Sequence, residues 1–141
     1  MAEYIANAVQ TVQPNQDVIF TDTVVYSNNR SIIHRDDSGL INLRGMTNQC
    51  YAKFKVSFGG NIAIPTGGTV EAISLAISID GEPVQSTIMI VTPAAAEEFW
   101  NVSSSTFIDV PACCCTQISV ENISTQAIDV QNANIIVERT A

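Results

Sequence analysis

An all-β architecture, a two-sheet antiparallel jelly-roll sandwich, follows from three features of this 141-residue chain. Turn-forming residues punctuate it at short, regular intervals, the spacing expected of many short strands. Between the turns, apolar and polar residues alternate with the period of a strand. Two long stretches are almost free of charge: Glu71 is the only charged residue from Val56 to Ile79, and Asp109 the only one from Phe99 to Val120. Both are built from Val, Ile, Phe, Ala, Ser and Thr, and neither has a helical period. Strands with small uncharged residues on one face and large apolar residues on the other tend to be covered on both sides. A single domain spanning residues 1–141 has little of its own to cover that much surface, so sister copies of the chain are expected to cover the rest.

The N-terminal strand is expected at Ala8 to Val12, stopped by Pro14-Asn15. Asp17 to Val25 follows, with Val18, Phe20 and Val24 facing inward, and Ser27-Asn28-Asn29 makes a turn. Ser31 to His34 is a short strand, and the turn Asp36-Asp37-Ser38-Gly39 leads to Leu40–Leu43. Tyr51 to Phe58 alternates cleanly, with Ala52, Phe54, Val56 and Phe58 on one face and Tyr51, Lys53, Lys55 and Ser57 on the other. Gly59-Gly60 is expected to end it.

Gly67-Gly68 opens the next strand, Thr69 to Ile79. Ile73, Leu75, Ile77 and Ile79 line one face of it; Val70, Ala72, Ser74, Ala76 and Ser78 line the other and are small enough for a second subunit to approach. Asp80-Gly81 signals a hairpin, with Val84 to Val91 as the return strand. Thr92 to Glu98 is the one helix candidate, with an N-cap residue, Pro93 at the first position and three alanines after it. Strands at Trp100–Val110, Cys114–Asn122 and Ala127–Glu138 complete the chain.

Composition excludes several classes of function. The formal net charge is −8 and the six Lys and Arg are scattered, so a phosphate backbone would be repelled and no nucleic-acid partner is expected. No run approaches the ~18 apolar residues of a spanning helix, and the first residues lack the basic and apolar regions of a signal peptide. No membrane partner is expected. The four cysteines, Cys50 and the run Cys113-Cys114-Cys115, lack zinc-ligand spacing. The run reads as small hydrophobes in a buried strand, with an inter-chain disulfide near a symmetry axis as the competing reading.

The order of features resembles the trimeric jelly rolls of the tumour necrosis factor and complement globular head superfamily. The residues that carry the resemblance begin with Asp17-Val18-Ile19-Phe20-Thr21, then Ile33-His34-Arg35 and Ser38-Gly39-Leu40-Ile41. The aromatic strand Tyr51–Phe58 stands in the place of that family's Tyr-x-Val-x-Phe strand. Ile77–Gly81, Thr116–Asn122 and the last strand Ala133–Arg139 match best. The resemblance implies a homotrimer around an apolar axis, with Tyr51, Phe54, Val70, Ala72, Ala76, Trp100, Ile118 and Ile136 at the subunit interface. It departs from the animal and fibre members in having no Gly-x-y stalk and no secretion signal. What it then implies is a bacterial or phage type: a capsid decoration or head-fibre protein on the virion surface, with the major capsid or another virion protein as partner. The alternative is a carbohydrate- or receptor-binding adhesin head on a fibre or bacterial cell surface, acting through loops around Asn28, Gly59 and Asn101.

No catalytic, cofactor-binding or metal-binding residue is expected. His34 with Asp36 and Asp37 could suggest acid–base chemistry, but His-Arg-Asp-Asp-Ser-Gly is ordinary turn chemistry. Asp36, Asp37, Asp80 and Glu82 sit in expected loops without the density of a calcium loop. Trp100, with Phe99 and Tyr51, is read as core or subunit interface rather than a sugar platform. Asn101-Val102-Ser103 and Asn122-Ile123-Ser124 match the glycosylation sequon and are read as coincidental. No nucleophile elbow or Gly-rich phosphate loop is present, so no enzyme is expected.

Overall fold

The computed structural model describes residues 1–27 and 30–140. Its strands are β1 (Ala2–Ala6), β2 (Gln10–Val12), β3 (Asp22–Val25), β4 (Ile32–His34), β5 (Ile41–Arg44), β6 (Tyr51–Ala63), β7 (Ile73–Ile79), β8 (Glu82–Pro83), β9 (Met89–Val91), β10 (Trp100–Pro111), β11 (Cys115–Asn122) and β12 (Ile128–Arg139). One sheet runs β10-β6-β12-β1-β3, with β2 also on β12; the other runs β4-β5-β11-β7-β8, with β9 also on β7. Every pairing is antiparallel. The all-β, two-sheet jelly roll expected from the sequence is the fold observed.

The core lies between the sheets. Phe54, Phe58, Ile62, Val130 and Ile135 of the first sheet face Ile41, Leu43, Leu75, Ile77 and Ile118 of the second, all buried. Phe20 and Phe58 meet edge to face, with ring centroids 6.4 Å apart. In β6 the alternation holds as read: Ala52, Phe54, Val56 and Phe58 are buried while Tyr51, Lys53 and Lys55 are exposed.

β6 does not stop at Gly59-Gly60. It continues to Ala63, paired with β10 on one side and β12 on the other. A Cβ at Gly60 would stand 3.3 Å from the Phe58 ring and 3.4 Å from Ala133 Cα. Glycine here permits close approach within a strand instead of turning the chain.

The N-terminal region differs most from expectation. β1 was not foreseen; it pairs with β12 from Ala2↔Val137 to Ala6↔Ala133 and buries Ala2, Tyr4 and Ala6. The strand expected at Ala8–Val12 shortens to β2. The one expected at Asp17–Val25 splits: Asp17 and Phe20 make isolated bridges to Glu121 and Ser38, and only β3 is continuous. Val18 and Phe20 face inward as read, but Val24 is 52% exposed. Asn28 and Asn29 of the expected turn lie outside the described residues.

The Thr69–Ile79 strand is confined to β7. The Asp80-Gly81 hairpin forms as read, with φ of 52° and 85° and Ile79 opposite Glu82. Its return strand is interrupted by a 3-10 turn at Gln85–Thr87. There Thr87 Oγ1 accepts the Ile77 N–H at 3.0 Å and donates to the Val84 carbonyl at 2.7 Å, so a hydroxyl replaces a rung of the ladder.

Thr92–Glu98 is not helical. Glu97 takes a left-handed φ of 63° and donates its N–H to the Ile64 carbonyl at 2.7 Å, while Thr66 donates its hydroxyl to the Glu97 carboxylate. Helix nucleation is costly, and a run this short offers too few bonds to offset it against those tertiary contacts.

Candidate functional site

The first sheet turns its outer face to solvent, and that face sorts its charges. Residues of β10, β6 and β12 align across it: Asn101 beside Asn61, Ser103 beside Gly59 and Asn134, Ser105 beside Ser57 and Ile136. On β6 and β10 this middle and upper portion carries no charged side chain; at its border Asp129 of β12 stands opposite Ala63, and Glu3 of β1 accepts from the Asn134 amide at 3.3 Å. The charges of β6 and β10 gather at the other end, where Lys53 Nζ meets Asp109 Oδ1 at 2.9 Å and Lys55 is opposite Glu138. Phe107 stands at the boundary, 71% exposed, with Lys55 Nζ 6.0 Å from its ring. A flat, serine-rich surface around one exposed aromatic ring is built for close approach of another β-surface.

The sequence reading placed the small-residue contact face on Thr69–Ile79. The exposed face of small uncharged residues lies instead on β6 and β10. On β7 the chain closes its own small face: Ala76 and Ser78 are fully buried, and Ser78 Oγ donates to Glu121 Oε1 at 3.0 Å. Val70 and Ala72 are exposed, in the segment that precedes β7.

The other expected interface residues separate into two groups. Phe54 and Ile118 are fully buried in the sandwich core, opposite Ile108 and Ile41 respectively. With Ala76, they have no surface to offer a sister copy, and their assignment to the subunit interface is corrected accordingly. Alternation identified their buried face rightly; what one sequence does not show is that the second sheet of the same chain occupies it. Tyr51 and Trp100 are about half exposed, and Ile136 is partly buried on the outer face of the first sheet. Tyr51 pairs with Pro111 and Trp100 with Ile62, so the two aromatics stand at opposite ends of the β6–β10 ladder and make no common platform. Trp100 Nε1 donates to Glu98 Oε1 at 2.8 Å.

The cysteine run is not in a buried strand. Cys113, Cys114 and Cys115 are exposed and free, and so is Cys50. Cys113 takes a φ of 64° in the turn from β10 to β11. Gly45 clasps that turn, donating to the Cys114 carbonyl at 2.8 Å and accepting from the Cys113 N–H at 3.0 Å.

His34 belongs to its turn. Its Nε2 lies 2.9 Å from the Ser38 carbonyl, while the Ser38 N–H donates to Arg35 at 3.1 Å and Asp37 takes a φ of 66°. Among the other loop carboxylates, Asp36 Oδ1 accepts from Thr23 Oγ1 and Asp80 Oδ1 accepts the Gln117 N–H. Among the described residues, no three His, Cys, Asp or Glu side chains are placed to share a metal ion. Of the two sequons, Asn101 is exposed, whereas Asn122 is fully buried, its amide donating to the Val12 and Gln126 carbonyls.

No protein-family model and no curated protein matches the chain. Solved structures do. The Eiger TNF from S. frugiperda superposes with a TM-score of 0.71 at 10% identity, covering 99% of this chain and 91% of that one. The globular domain of a zebrafish complement 1qA protein gives 0.64 at 13% identity, over 96% and 94%. Murine APRIL gives 0.62 at 9% identity, over 97% and 98%. At these identities the likeness is one of fold: the chain has the jelly-roll sandwich of the tumour necrosis factor and complement domains.

Proposed function

We propose that this chain is a non-enzymatic head domain that assembles as a homotrimer through the outer face of its β10-β6-β12 sheet. The observation that carries the proposal is the uncharged strip of Ser57, Gly59, Asn61, Asn101, Ser103 and Ser105, bordered by the exposed Phe107 ring. In water such a strip gains little by staying exposed, and another copy can approach it without desolvating a charge of β6 or β10. The acidic remainder of the chain keeps the assembled particle soluble. Mass photometry on the purified chain tests the assembly; a monomer at micromolar concentration overturns it.

Within that reading, the trimer sits on a virion surface as a capsid decoration or head-fibre component of a phage, in contact with the major capsid or another virion protein. Rigid strands, charge-poor contact faces and the absence of convergent acid, base and nucleophile among the described residues suit a structural unit. The neighbouring genes test this setting: capsid, portal or terminase genes beside it support the virion role, and a neighbourhood without them overturns it.

A second reading, a carbohydrate- or receptor-binding head on a fibre or cell surface, is favoured by one observation. A cleft at the open edge of the sandwich gathers aromatic and hydrogen-bonding side chains. Of the loops first expected to carry that role, Gly59 lies within β6 and Asn101 within β10; Asn28 is outside the described residues, and Tyr26, Ser27 and Arg30 on either side of it line the cleft.

A further inference from the structure

A cleft of about 340 Å³ opens where β1 and β3 of the first sheet meet β4 of the second, lined by Tyr4, Thr23, Tyr26, Arg30, His34 and Asp36 among others. The chain holds three tyrosines and one histidine; the histidine and two of the tyrosines are here. Tyr4 and His34 form the inner wall, with ring centroids 4.4 Å apart. Because the Ser38 carbonyl can only accept, His34 Nε2 is the donor in their 2.9 Å contact. Nδ1 is buried and has no hydrogen-bond partner, the one such side-chain atom among the described residues. Asp36 adds a carboxylate, one oxygen of which accepts from Thr23 Oγ1 at 3.3 Å. At the rim, Tyr26 is 74% exposed, and the exposed Arg30 makes no hydrogen bond or ion pair with another described residue.

Each of these groups has a counterpart on one class of molecule. An exposed phenol such as that of Tyr26 offers a flat apolar surface to the C–H face of a pyranose. Ring hydroxyls donate to a carboxylate such as that of Asp36. An unpaired guanidinium presents a planar fork that matches a carboxylate with two parallel bonds. A neutral sugar would leave that fork unused, and a simple carboxylate would leave the tyrosine and Asp36 unused. We propose that this cleft binds a sugar carrying a carboxylate, with Arg30 on the acid group, Tyr26 on the ring face and Asp36 on the hydroxyls. The inference deepens the second reading above by naming the place and the sugar class. It is independent of the trimer, because one chain supplies every lining residue.

Sodium glucuronate titrated into isotope-labelled chain at constant ionic strength, with glucose as the uncharged probe, reads the site by NMR. Saturable shifts are expected at Tyr4, Tyr26 and His34, with glucose binding about tenfold more weakly or worse, the worth of one charge-assisted bond. Arg30→Gln is expected to weaken glucuronate by about the same factor without changing Tm, and Tyr26→Ala to weaken both sugars. Cleft signals unmoved by glucuronate, equal response to glucose, or an unchanged titration in Arg30→Gln each overturn the proposal. Saturable shifts confined to another surface, such as that around Asn101, overturn the cleft and leave a glycan-binding head standing. A chain that answers to neither sugar anywhere counts against both.

Discussion

Asp17 faces Glu121 across an isolated antiparallel bridge, with Ser119 bonded to the first carboxylate and Ser78 to the second. Burial pushes the Asp17 carboxyl above its ordinary value of 3.8; the Ser119 hydroxyl opposes that, and the Glu121 charge adds to it. The folded chain therefore keeps the Asp17 proton to higher pH than the unfolded chain. The stability this provides is fully present below 3.8 and is lost as pH rises through the folded value. Asp17→Asn, which cannot ionise, is expected to raise Tm near pH ~7 and to match the parent chain near pH ~3. Thermal unfolding at the two pH values checks this, and a variant less stable than its parent at neutral pH contradicts it.

Asn122 binds three elements together from a fully buried position. Its amide donates to Val12 at 2.9 Å and Gln126 at 3.0 Å, and its Oδ1 accepts the Ser124 N–H at 2.9 Å. Asn122→Leu keeps the bulk and strands those backbone groups without partners. A loss of about 2–4 kcal/mol is expected from the urea midpoint, since each buried unmatched group costs roughly 1–3 kcal/mol.

Gly45 has no room for a side chain. An added Cβ would lie 2.0 Å from the Pro111 carbonyl oxygen and 2.9 Å from its carbon. Backbone cannot yield as a flexible side chain does, so Gly45→Ala is expected to cost about 2 kcal/mol or more. The same variant should loosen the cysteine turn that Gly45 clasps, read as faster amide exchange at Cys113 and Cys114.

Ser105 sits in the middle of the uncharged strip, beside Ser57. Ser105→Lys adds a long cation that the monomer can hold in water at little cost but that a close contact must desolvate. The assembly is expected to fall apart to single chains by mass photometry, with far-UV dichroism unchanged. Persistence of the trimer in this variant would remove the contact from that face.

How legible the fold was depends on which partner a residue needed. The alternation in Tyr51–Phe58 and the Asp80-Gly81 turn are local signals, and both were correctly read. β1 left no local trace, because Ala2, Tyr4 and Ala6 are made a strand by residues 133–137 at the far end of the chain. Alternation likewise separates buried from exposed faces but does not say which sheet does the burying, so Phe54 and Ile118 were assigned to the wrong neighbour. Thr92–Glu98 has helical residues and a tertiary bond to Ile64 that overrides them. The cleft was invisible for the same reason as β1: Tyr4 and His34 are thirty residues apart and meet only across two sheets.

β12 follows every other described strand in sequence and sits inside the first sheet, between β6 on one side and β1 and β2 on the other. A ribosome therefore releases that strand only after β1 and β6 have both emerged, and until then β1 and β6 each have an open edge. Nascent chains in neighbouring polysomes could satisfy those edges with one another's strands. A chaperone that shields the incomplete intermediate, or slow synthesis that keeps such chains dilute, should raise the yield of native protein more than any gain in its final stability.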